Sequence, residues 1–100
     1  MTEQARPEVV VITGASAGLG RAIAHEFARR GAHIGLLARG TESLQAAARE
    51  VEELGGEALI LPTDVADANQ LEAAAQAVEE QFGPIDIWVN NAMTSVFSPF

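Results

Sequence analysis

The sequence predicts an α/β domain built on a parallel, doubly wound sheet, and three observations carry that reading. Four apolar runs, at residues 8–13, 33–38, 57–61 and 85–90, alternate with three longer stretches of helical periodicity. Residues 9–12 and 34–37 are apolar at consecutive rather than alternating positions, which suits strands covered on both faces. Short connections between strand and helix imply right-handed crossovers, hence the strand order 3-2-1-4, one half of a doubly wound fold plus the strand across its switch point.

Each element follows in turn. The first strand runs straight into a glycine-rich turn at residues 13–20, which opens the first helix. In that helix Leu19, Ile23 and Phe27 recur at i, i+4 and i+8 as an inward stripe, Arg21, His25 and Arg29 form a polar one, and Gly31 ends it. The second helix begins at Thr41 as N-cap, turns Leu44, Ala47, Ala48, Val51 and Leu54 inward, and stops at Gly55 and Gly56. Its Glu50, Glu52 and Glu53 read as a solvated acidic face. The third is introduced by Asp67 with Gln70 three residues on, a pair resembling a capping box, and buries Leu71, Ala74, Ala75, Val78 and Phe82 before Gly83 and Pro84. After Asn90 the last ten residues include apolar ones but no capped helix, so the expectation is a partial domain over residues 1–100, with the strand that should pair with the fourth absent.

Composition narrows the partners. A chain of 100 residues with 48% hydrophobic content fits one core. Six basic against fourteen acidic residues give a net charge of −8, which offers no electrostatic support for nucleic acid or an anionic membrane surface. No segment approaches the roughly 20 apolar residues of a membrane span, so the expected location is cytoplasmic. There is no cysteine, and His25 and His33 lack partners at metal-ligand spacing, so no metal site is expected.

The turn carries the chemistry. Helix starts expose unpaired N–H groups and a partial positive charge, and glycines let a phosphate approach the backbone. The spacing Gly14-x-x-x-Gly18-x-Gly20 is not the commoner GxGxxG, and the absence of any Lys argues against a P-loop. Taken alone, the turn could also be a tight bend that serves close helix–sheet packing.

The whole chain resembles the short-chain dehydrogenase/reductase family. The resemblance rests on Thr13-Gly14-Ala15-Ser16-Ala17-Gly18-Leu19-Gly20, on Asp64-Val65 after the third strand and on Asn90-Asn91-Ala92 after the fourth, all at the C-terminal ends of strands. It implies a Rossmann-like fold in which Gly14, Ser16, Gly18, Leu19 and Gly20 line the pyrophosphate and nearby ribose. It implies further that Asp64 bonds the adenine amino group, Val65 packs on the base, Asn90 ties the central strands, and Asn91 and Ala92 pass the adenosine ribose. Asp64 could instead be a turn residue. The sequence departs from the family's Asn-Asn-Ala-Gly at Met93.

Cofactor choice turns on the end of the second strand. A carboxylate placed about 20 residues past the glycines would favour NAD, but Ala38 and Arg39 stand there, and Arg can grip a 2′-phosphate. NADP(H) is therefore expected over NAD, the alternatives for Arg39 being solvent or a pair with Glu42. The resemblance also implies a catalytic Tyr and Lys, yet the sequence contains neither, so none of its residues is assigned a catalytic role. The expectation is the cofactor-binding part of an oxidoreductase that acts on a small carbonyl or alcohol. The rival is a non-catalytic nucleotide-binding or interaction module. In that rival the open fourth-strand edge pairs with a full-length subunit; a homo-oligomer is the other association expected.

Overall fold

The computed structural model describes residues 6–91. Its strands are β1 (Val9–Thr13), β2 (His33–Ala38), β3 (Glu57–Pro62) and β4 (Ile87–Asn90), and its helices α1 (Gly18–Arg29), α2 (Thr41–Glu53) and α3 (Ala68–Phe82). All strand pairs are parallel, in the order β3-β2-β1-β4. That is the 3-2-1-4 order expected from the sequence.

Consecutive apolar residues serve opposite faces. Val10, Ile12, Ile34 and Leu36 pack with α1 and α2, where Ala24, Ala28, Leu44, Ala47 and Val51 complete the core. Val9, Val11 and Leu37 point the other way, against Ala74 and Val78 of α3. Every one of these strand side chains is fully buried, each contributing roughly 1.5–3 kcal/mol. Gly35 lets α3 lie close, since a Cβ there would sit 2.6 Å from Val78 Cγ2.

Strand limits shift for local reasons. β3 extends to Pro62, opposite Ala38, as a proline can on an edge strand. β4 starts only at Ile87: Asp86 N–H donates to the Val9 carbonyl at 2.8 Å, and the Asp86 carboxylate accepts the Val9 N–H at 2.8 Å. A side chain thus takes over where the ladder would have begun.

Two helix readings need correction. Leu19 is 68% exposed, and the buried line of α1 is Gly20, Ala24 and Ala28, with Ile23 and Phe27 on its flank. The helix approaches the turn after α2 so closely that a Cβ on Gly56 would lie 3.1 Å from Ala28 Cα, and only small residues fit the contact line. The N-cap of α2 is Gly40 and not Thr41, and it supplies no side-chain bond. Gly40 holds the extended backbone, while its carbonyl already accepts the Leu44 N–H at 3.2 Å.

The cap of α3 is real but differs from a reciprocal box. Asp67 Oδ1 accepts the N–H groups of Asn69 at 2.9 Å and Gln70 at 3.2 Å, which stabilises the helix start by about 1 kcal/mol. Gln70 donates Nε2 to Asp67 Oδ2 at 3.3 Å and accepts the Asp64 N–H through Oε1 at 2.8 Å. The cap therefore also fixes the loop that carries Asp64.

Candidate cofactor site

The C-terminal ends of β1, β2, β3 and β4 meet the start of α1 at one end of the sheet. Thr13, 1% exposed, donates Oγ1 to Asn90 Oδ1 at 3.1 Å and so ties β1 to β4 at this end. Ala15 N–H donates to the Leu37 carbonyl at 3.2 Å, and Asn91 Nδ2 to the Gly14 carbonyl at 3.3 Å. The glycine turn is thus pinned from both sides.

Its glycines are required for two different reasons. Gly14 and Gly18 have φ of 65° and 57°, left-handed backbone that a side chain disfavours. Gly20 has no space: a Cβ would fall 2.1 Å from the Gly14 oxygen and 2.7 Å from Asn91 Nδ2. Ala17, the N-cap of α1, offers no side-chain bond, so the free N–H groups of the first turn are left for a ligand. An uncapped helix start behind a curled glycine backbone is a cradle for an anion. Leu19 stands exposed beside it.

Arg21 braces this cradle from behind. Its Nη1 donates to the Ser16 carbonyl at 3.2 Å, while Nε and Nη2 donate to the two Glu50 carboxylate oxygens at 2.9 and 2.5 Å. His25 Nε2 lies 2.6 Å from Glu50 Oε1, and because a carboxylate only accepts, that nitrogen carries the hydrogen. Glu50 is therefore not part of a merely solvated acidic face, and His25 is not a bystander. Their 25-residue separation in sequence hides the contact, although Arg21 and His25 at i, i+4 mark one side of α1.

The hydrogen bonds from Arg21, and then from His25, lower the Glu50 pKa from 4.5 to about 2, and the same pairing raises that of Arg21. A depressed folded-state pKa stabilises the fold above the unfolded value and loses that contribution as pH falls towards the folded one. Glu50→Gln is accordingly expected to melt below the parent at pH 7, the two converging between about pH 4.5 and about 2. Melting curves across pH check this, and a gap constant down to pH 3 would refute it.

At the ends of β2 and β3, Arg39 and Asp64 face each other. Arg39 Nη2 lies 3.6 Å from Asp64 Oδ2, the side chains being 78% and 39% exposed. The pair with Glu42 considered from sequence is replaced by this one. Asp64 is a turn residue as well, its Oδ1 accepting the Ala66 N–H at 3.0 Å, and Val65 beside it is half-buried. Ala92 and Met93 lie outside the described residues. Among the described residues no helix is long and apolar enough to cross a membrane.

A four-stranded parallel sheet wound on both sides, with a glycine turn feeding an uncapped helix, defines a Rossmann-like α/β domain. The family model for short chain dehydrogenase matches residues 8–100, and the chain belongs to that family. It is 37% identical over 94 residues to a fatty acyl-CoA reductase of Acinetobacter baylyi, covering 94% of this chain and 32% of that protein. A short-chain dehydrogenase of Mycobacterium thermoresistibile superposes with a TM-score of 0.86 at 39% identity, over 93% of this chain and 36% of that one. L-sorbose reductase of Gluconobacter frateurii, in complex with NADPH and L-sorbose, superposes at 0.84 with 43% identity, over 94% and 36%. An NADH-dependent reductase complexed with NAD also matches, at 0.77 and 28% identity over 85% and 36%. The chain spans about a third of the length of each of these relatives.

Proposed function

We propose that these residues form the NADP(H)-holding part of an oxidoreductase that reduces a small carbonyl compound or oxidises the matching alcohol. The observation that carries this is the glycine cradle: positive φ at Gly14 and Gly18, no room for a Cβ at Gly20, and an uncapped α1 start. Gly14, Ser16, Gly18, Leu19 and Gly20 would line the pyrophosphate and its ribose. Asp64 and Val65 would meet the adenine, Asn91 and Ala92 would flank the adenosine ribose, and Arg39 would take the 2′-phosphate. When bound, the nicotinamide supplies or accepts the hydride at the substrate carbon.

Two features support NADP(H) over NAD. Arg39 stands where an NAD-preferring site offers a carboxylate, and its guanidinium is exposed enough to reach a ligand. The sorbose reductase relative is an NADPH complex. The reading assigns these residues the holding of the cofactor and not proton transfer, because the sequence contains neither Tyr nor Lys.

Calorimetric titration of the full protein with each cofactor tests the choice. NADPH is expected to bind at least about tenfold more tightly than NADH, the scale of one charge-assisted hydrogen-bonded contact. Equal affinities, or tighter NADH, would overturn it.

A further inference from the structure

We infer that Asp64 tunes the cofactor selectivity of this site by competing with the 2′-phosphate for Arg39. The inference rests on the NADP(H) reading of Arg39 and adds to it a second residue that tunes the choice.

The geometry sets up the competition. β2 and β3 are parallel neighbours with Ala38 opposite Pro62, and Thr63 N–H donates to the Ala38 carbonyl at 2.8 Å, which carries the ladder one step further. Arg39 and Asp64 therefore leave the sheet side by side from fixed backbone. Asp64 is held: its N–H donates to Gln70 Oε1 at 2.8 Å and its Oδ1 accepts the Ala66 N–H at 3.0 Å. The remaining oxygen, Oδ2, faces Arg39 at 3.6 Å. Arg39, the more exposed partner at 78%, is the one free to change partners.

A 2′-phosphate that takes Arg39 must draw it from this carboxylate. An exposed pair of this kind shifts an equilibrium by up to about fivefold, so the pairing blunts selectivity without abolishing it. NADH carries no 2′-phosphate and leaves the pair intact. Contacts between Asp64 and the adenine are common to both cofactors and cancel in the ratio of their affinities.

The test is a double-mutant cycle on that ratio in the full protein, with Asp64→Asn and Arg39→Ala alone and together. Asparagine keeps an Oδ1 that can accept the Ala66 N–H, so the loop is retained. With Arg39 present, Asp64→Asn is expected to raise the NADPH-to-NADH affinity ratio about fivefold, and in the Arg39→Ala background less than about twofold. An unchanged ratio in the first background overturns the inference, and so does an equal rise in both, which would mean simple repulsion between carboxylate and phosphate. If Arg39→Ala by itself leaves the ratio unchanged, the 2′-phosphate reading of Arg39 fails. If it lowers the ratio while Asp64→Asn does not move it, only the competition fails.

Discussion

Gly20→Ala is expected to destabilise the protein by about 3 kcal/mol and to remove tight cofactor binding, because its methyl group would have to occupy space held by backbone. The added carbon would lie 2.1 Å from the Gly14 oxygen and 2.9 Å from the Gly14 carbonyl carbon, far inside van der Waals contact. Neither atom belongs to a flexible side chain that could swing aside. The third neighbour, Asn91 Nδ2 at 2.7 Å, is the donor that pins the Gly14 carbonyl, so relief in that direction breaks the bond that shapes the turn. Gly18→Ala is the matched control. A Cβ there meets nothing within 4 Å, and only the φ of +57° opposes it, at a cost of about 1–2 kcal/mol. Urea denaturation of the two variants should therefore separate a steric requirement from a conformational one. A Gly20→Ala protein no less stable than Gly18→Ala would show that the close approach is not what glycine is there for.

How much of this was legible in sequence depends on the range of the interaction. The strands were, because burial on both faces leaves the unbroken apolar run seen at residues 9–12. The glycine turn was legible as a pattern of short spacing at a strand end, and Asp64 only through the family resemblance. The inward face of α1 differs from the one the sequence favours for a definite reason: Leu19, Ile23, Phe27 and Gly20, Ala24, Ala28 have the same period, and hydrophobicity favours the larger set. The close contacts with the turns at Gly14 and Gly56 instead select the smaller set, because the helix runs too near them for large side chains. The N-cap of α2 slipped by one residue, a distance that side-chain preference does not resolve. The Arg21–Glu50–His25 brace and the Arg39–Asp64 pair could not be found by spacing at all. Their partners lie 29 residues and 25 residues apart in the brace and on separate strand ends in the pair, and they meet only once α1 packs on α2 and β2 lies beside β3.

Arg39→Glu is expected to weaken NADPH binding on the order of 100-fold while leaving NADH binding within about threefold of the parent. One part of that loss is the charge-assisted fork to the 2′-phosphate, worth about 1.5–3 kcal/mol. The other is repulsion between the new carboxylate and the phosphate. For NADH the same carboxylate is no obstacle, since it can accept a hydrogen bond from the ribose 2′-OH. The exposure of Arg39, 78%, keeps the substitution clear of the core, so a loss shared by both cofactors could not be blamed on unfolding. Titration of each cofactor against the variant and the parent decides the matter. Equal losses for NADPH and NADH would mean that Arg39 does not face the 2′-position, and the proposed preference for NADP(H) would lose its main support.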